Sequence, residues 1–191
     1  MGRDDLLAKA VEYYAANGVR DTSLRTLASA IGTSQRMLHY HFGAREDLLA
    51  AVVDALAAQD ARDLEDLFAR EADPFAAGRE NWRRVAANAE VVGALYFELA
   101  AHAMHGRPYA APIRAAVPQR VEAAFAAAYR AGNADVPAAA LARLTVAVGH
   151  GLLFAMLLDG DRAASEAALD LFTSMVRDLD EASRTDAPPP S

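Results

Sequence analysis

Residues 22–49 read TSLRTLASAIGTSQRMLHYHFGAREDLL: a short helical segment, a glycine turn, a second short segment with a polar face, and the start of a longer helix. A helix of about two turns does not hold its shape alone in water, because nucleation orders several residues for each hydrogen bond gained. It persists only where neighbours pin it, and a pinned short helix is usually one that is presented to something. The major groove of DNA is the commonest receiver of a helix presented in this way.

The rest of the chain reads as helix throughout. A first helix is expected over about Asp4–Ala16, with Leu7, Val11 and Tyr14 at helical spacing and Asn17-Gly18 as its stop. A second follows Ser23, a good N-cap, and buries Leu27 and Ile31. Gly32 makes the turn, Thr33 or Ser34 caps a third helix, and that helix ends near Phe42-Gly43. A fourth runs from about Ala44 to about Arg70, where Asp73-Pro74 breaks it. Two more lie between Pro74 and Met104, dividing near Asn88. Pro108 and Pro112 open a helix carrying Val117 to Tyr129, kinked or restarted at Pro118 and ended by Gly132-Asn133. Two last helices, about Pro137–Leu158 and Arg162–Ala182, meet at Asp159-Gly160-Asp161. The proline-rich tail from Thr185 to Ser191 is expected to be disordered.

No alternating strand pattern occurs, and a composition 53% hydrophobic with only 7% aromatic residues suits closely packed helices. The expectation is an all-α fold of about nine helices: a three-helix helix-turn-helix domain over residues 1–45, and a second helical domain over 46–184. Without cysteine there are no disulfides or thiolate metal sites. No signal segment opens the chain, and no run approaches the roughly 18 apolar residues of a membrane span, so a cytoplasmic protein is expected.

A net charge of -7 argues against DNA until it is located. Residues 1–50 are neutral and the remainder carries the whole excess. Within 20–45, four arginines stand against Asp21 alone, with His39 and His41 beside them. With Leu38 turned to the core, Ser34, His41 and Phe42 fall near the inner side of the third helix, and Arg36, His39 and Tyr40 fall opposite. Arginine can bind guanine O6 and N7 in bidentate fashion, and Gln35 can do the same with adenine. Thr33, Ser34, His39 and Tyr40 can donate to phosphate, Arg45 stands ready for the backbone, and Arg25 points toward the same surface.

GTSQRMLHYHFGAREDLL, preceded by LRTLASAI, resembles the signature of the tetracycline-repressor-like (TetR) family of regulators. The matching positions are Thr22-Ser23, Leu27-Ala28, Gly32-Thr33-Ser34, Leu38-His39-Tyr40-His41-Phe42, Arg45 and Leu48-Leu49. The resemblance implies an Ω-shaped homodimer that binds double-stranded operator DNA, with a C-terminal domain that holds a small-molecule effector and builds the dimer. It implies a repressor released by that effector, and contacts to DNA from Ser23, Arg25, Thr33, Ser34, Gln35, Arg36, Met37, His39, Tyr40 and Arg45. There are two departures from the pattern: His39 replaces a tyrosine, and Arg36-Met37 replaces a small pair.

In the C-terminal half, Leu141, Leu144, Val148 and Leu152 on one helix and Leu171, Phe172 and Met175 on the next repeat at helical spacing. They fit an intramolecular core or, as the resemblance implies, a four-helix bundle formed with a second copy. Trp82, Tyr96, Phe97, His102, Met104, His150 and Phe154 are candidates for an effector cavity. Glu98, His102 and His105 share one helix face and could ligate a metal, which makes a helical metalloprotein the rival reading. A helical interaction module without DNA binding is a second rival. No nucleophile–base pair, phosphate loop or paired carboxylate motif emerges, so neither enzymatic activity nor a cofactor is expected.

Overall fold

Leu6, Ala10 and Tyr14 recur every four residues along α1 (Arg3–Asn17), and all three are buried. That single stripe anchors α1 in a bundle that also holds two much shorter helices. The structure is a computed structural model that describes residues 2–19, 22–71, 73–116, 120–132 and 137–185. Among these there are ten α-helices, a π-helical turn at Ala89–Gly93 and a 3₁₀ turn at Pro108–Ala110, with no strand. The fold is all-α as expected, somewhat more subdivided than nine helices.

The chain forms two compact units. The first holds residues 1–60 and 89–117, the second residues 61–88 and 118–191, so the chain passes between them three times.

The first unit contains α1, α2 (Leu24–Ala30), α3 (Gln35–Phe42), the early part of α4 (Arg45–Arg70), and then α6 (Ala94–Met104) and α7 (Ala111–Ala116). One cluster joins Leu6 and Tyr14 of α1, Leu27 and Ala28 of α2, Leu38 and Phe42 of α3, Leu48, Leu49, Val52 and Val53 of α4, and Leu95 and Leu99 of α6. Two helices from the middle of the chain thus close the core of the N-terminal one. Hydrophobic burial, rather than helix propensity, holds α2 and α3 in place, since seven and eight residues nucleate poorly alone.

The second unit contains the remainder of α4 with α5 (Pro74–Ala87), α8 (Glu122–Gly132), α9 (Ala138–Asp159) and α10 (Arg162–Thr185). Asp73 caps α5 by accepting the Phe75 N–H at 2.9 Å, with Pro74 in the first turn where no donor is missed. α8 packs on α9, and α9 on α10. Tyr129 and Thr145 share a hydrogen bond of 2.8 Å across α8 and α9. Arg79–Asp170 and Arg177–Asp73, both 3.1 Å, tie α5 to α10 at half-exposed positions, where each adds at most about 1 kcal/mol.

One expectation changes, and two fall partly outside the described residues. The helix expected to open at Pro108 and Pro112 and to kink or restart at Pro118 appears as a 3₁₀ turn, α7 and α8, while Val117, Pro118 and Asn133 lie outside the described residues. The disordered tail was placed on 185–191, of which 186–191 also lie outside them. The expectation that no run approaches a membrane span is corrected by α9, whose 22 residues reach a mean hydropathy of 1.8 in an 18-residue window. By length and composition that helix could cross a membrane. Arg143, Thr145, Gly149, His150 and Gly151 interrupt the apolar run, which hides it in a residue-by-residue reading. Only 22% of the window is buried within the chain.

The junction of α3 and α4 rests on Gly43, at φ +82°. A Cβ there would stand 2.7 Å from Asp47 Oδ2, which accepts the Ala44 N–H at 2.8 Å and so caps α4. Gly43→Ala combines backbone strain with loss of that cap, and urea denaturation is expected to show about 1–3 kcal/mol of lost stability.

Candidate nucleic-acid interface

Helix α3 is presented by the two residues it buries. Leu38 and Phe42, one turn apart, are buried in the core of the first unit, and that places Arg36, His39 and Tyr40 on the outside. Tyr40 is 79% exposed, an unusual position for an aromatic ring that needs only half a turn of rotation to reach the core. Gln35, Arg36 and His39 are also exposed, and Met37 is 38% exposed. Of the residues the sequence wheel placed inward, Leu38 and Phe42 are buried and His41 half-buried, while Ser34 is exposed.

Both short helices carry their own caps. Ser23 Oγ accepts the Thr26 N–H at 3.1 Å and lies 2.9 Å from Thr26 Oγ1. Ser34, rather than Thr33, caps α3, its Oγ accepting the Met37 N–H at 3.2 Å. Thr33 donates its N–H to Ala28 O at 2.9 Å and closes the end of α2 through the turn at Gly32. Ser23, Arg25 and Ser34 are exposed and Thr33 is half-buried, so the loop between α2 and α3 is open to solvent along with the polar face of α3. Arg3 places its guanidinium 5.1 Å from the centre of the Phe42 ring, and so packs the start of α1 against the end of α3.

Arg45 is not directed where it was expected. Its Nε donates to Thr22 O and its Nη2 to Val19 O, both at 2.6 Å, in a partly buried setting. The guanidinium therefore braces the connection between α1 and α2 from the first residue of α4. Burial holds the phenol of Tyr14 above its ordinary range, while the charge on Arg45 pulls it the other way. Among the described residues the Tyr14 hydroxyl has no hydrogen-bond partner.

The proposed metal face does not assemble. No group of three or more His, Asp or Glu residues able to hold a metal ion occurs among the described residues. Glu98 Oε2 accepts the Val19 N–H at 2.9 Å, and His102 Nδ1 pairs with the Tyr109 hydroxyl at 2.9 Å. His105 is exposed at the C-cap of α6.

The effector candidates divide between the units. Tyr96, Phe97, His102 and Met104 lie on α6 in the first, and Trp82, His150 and Phe154 lie on α5 and α9 in the second. Tyr96, Phe97, His102 and His150 are half-buried, Trp82 is buried, and Met104 and Phe154 are exposed. Burial lowers the pKa of His150, opposed by the charge of Glu122. Within the second unit a cleft of about 140 Å³ is lined by Arg79, Trp82, Arg83, Glu166, Leu169 and Asp170.

Of the residues expected to pair two copies, Leu141 is buried within its own unit. Val148, Leu152 and Phe172 are half-buried, and Leu144, Leu171 and Met175 are exposed. Leu179, which the spacing on the last helix also picks out, is exposed by 60%, and Leu158, which sequence reasoning did not single out, by 72%. The signal for Leu158 was present: Leu144, Val148, Gly151, Ala155 and Leu158 follow one another at steps of three and four.

Residues 6–52 match the family of bacterial regulatory proteins, tetR family. Among curated proteins none matches the sequence. Solved structures do. A TetR transcriptional regulator of Streptomyces coelicolor is 25% identical with a TM-score of 0.63, over 91% of this chain and 97% of that one. A TetR transcription regulator of Haloarcula marismortui is 18% identical with a TM-score of 0.78, over 93% and 96%. A transcriptional regulator of Saccharomonospora viridis, solved in complex with choline, is 20% identical with a TM-score of 0.72, over 90% and 95%.

Because Arg45 holds two backbone carbonyls at once, Arg45→Ala is expected to destabilise the first unit by about 2–4 kcal/mol in urea titrations. Lysine offers one compact charge instead of a planar fork, so Arg45→Lys should recover less than half of that loss.

Proposed function

We propose that this chain, whose N-terminal domain belongs to the TetR family of bacterial regulatory proteins and whose fold is TetR-like throughout, is a homodimeric repressor released from double-stranded operator DNA by a small molecule. The observation that carries the reading is the outward face of α3, where Arg36, His39 and Tyr40 are exposed on a helix held from behind by Leu38 and Phe42. Arg36 and Gln35 read base edges in the major groove. Ser23, Arg25, Thr33, Ser34, Met37, His39 and Tyr40 set the register against backbone and bases. Arg45 acts behind this surface, by fixing the loop that leads into α2. The protein works in the cytoplasm and catalyses no reaction.

Dimerisation is proposed through α9 and α10. Leu144, Leu158, Leu171, Met175 and Leu179 are too many large exposed apolar side chains on two neighbouring helices for a chain that functions alone. A mean hydropathy of 1.8 with little burial inside the chain is what a helix shows when half of its core belongs to another copy. Two α3 helices read half-sites about 34–36 Å apart. The functional division is proposed as residues 1–45 for DNA and 46–184 for effector and dimer, with effector contacts from Trp82 and His150 of the second unit. An effector that favours a different spacing of the heads empties the operator, and full release takes about 5.5 kcal/mol of differential affinity. Choline bound to a regulator of similar fold supports a small-molecule site in such a chain.

Fluorescence anisotropy against the DNA flanking the protein's own gene tests the reading. Specific binding with Kd of about 10⁻⁸–10⁻¹¹ M is expected. Binding no tighter to that DNA than to random duplex would defeat it. Arg36→Ala should cost about 1–3 kcal/mol at particular base positions and leave others unchanged. A uniform loss across operator variants would reduce Arg36 to a phosphate contact. Leu171→Glu, at a position 65% exposed, should leave the fold intact and shift the protein from dimer to monomer in light scattering. A mass that stays dimeric would move the interface elsewhere.

A further inference from the structure

The backbone N–H and C=O of Val19 are both held by residues distant in sequence. Its N–H donates to Glu98 Oε2 of α6 at 2.9 Å, a contact spanning 79 positions. Its carbonyl accepts from Arg45 of α4, whose Nε also takes Thr22 O. The next residue, Ser23, caps α2. Val19 itself is wholly buried and Thr22 nearly so.

Gly18 makes the approach of Glu98 possible. It sits at φ +72°, and a Cβ there would lie 3.0 Å from Glu98 Oε2. The end of α1 is thus shaped around a carboxylate from α6. A charged acceptor on a buried amide is a strong hydrogen bond, and its loss would leave that N–H unpaired. The same helix contributes Leu95 and Leu99 to the core that carries Leu38. Leucines fix how near α6 lies, but they tolerate sliding. The Glu98 bond fixes where along α6 the α1–α2 connection must sit.

We infer that Glu98 is a positioning residue for DNA recognition: by holding the Val19 amide it sets the α1–α2 connection and the Ser23 cap, and so the placement of α2 and the α3 packed on it. This deepens the reading of α3 as a DNA-reading helix and rests on it. Glu98 touches no DNA. When its bond is lost, the connection samples other conformations and the competent fraction falls. Apparent affinity falls by the same fraction on every sequence.

The test uses the full chain as dimer, with Glu98→Ala and Glu98→Gln. Amide hydrogen exchange, read without DNA, should quicken at Val19 and at Thr26 of the cap in Glu98→Ala, and remain near wild type in Glu98→Gln, whose amide oxygen still accepts. Binding to the flanking DNA should weaken about tenfold in Glu98→Ala, equally on all sequences and with an unchanged salt slope. Glu98→Gln should stay within about threefold of wild type. Unchanged exchange at Val19 in Glu98→Ala overturns the assignment. So does equal loss of affinity in both variants, and so does a Glu98→Ala loss confined to some base positions. Should the wild-type chain bind no DNA while the exchange pattern still follows Glu98, it is the DNA-binding reading that fails.

Discussion

The exposed face of α3 exists because Leu38 and Phe42 are buried. An eight-residue helix gains too few internal hydrogen bonds to offset the ordering of its backbone, so its shape is borrowed from the core beneath it. Burying two large side chains contributes about 3–6 kcal/mol, more than the helix can supply for itself. The same burial fixes its rotation, since these two residues define one side and Arg36, His39 and Tyr40 must occupy the other. Presentation and stability are one interaction seen from two sides.

What surrounds that helix is built from remote parts of the chain. α4 supplies four buried aliphatic side chains to the core, and α6 supplies two more. Polar contacts follow the same route: Arg45 reaches back to Val19 and Thr22, and Glu98 reaches back to Val19. Val19 and Thr22, which lie between α1 and α2, are held by two later helices. The exposed face of α3 is thus stiffened through the loop at which the preceding short helix begins.

Local features of the sequence were legible because their causes are local. Ser23 and Ser34 cap helices that start one residue later, Gly32 turns the chain, and period 3.6 places Tyr40 opposite Leu38. Asp73-Pro74 ended one helix and began the next for the same reason. Arg45 and Glu98 were legible as charges but not as braces. Their acceptor and donor are backbone atoms 26 and 79 positions away, and a backbone atom carries no residue type to read. Glu98, His102 and His105 fall on one face of α6, but the first two turn to Val19 and Tyr109, and a shared face says nothing about what lies across from it. The apolar character of α9 was visible in composition and concealed by its glycines and histidine.

The incorporation of α6 into the first unit sets an order on how the chain can mature. Leu95 and Leu99 follow Val53 by about 40 residues, so a ribosome making about 5–20 residues each second delivers the closing side of that core some seconds after its opening side. Until then α1 to α3 have their leucines but not the lid that covers them. The portion of the molecule that begins emerging first is therefore among the later portions to become finished, and a fragment ending near residue 52 would carry every group of the α3 face on a scaffold still missing one wall.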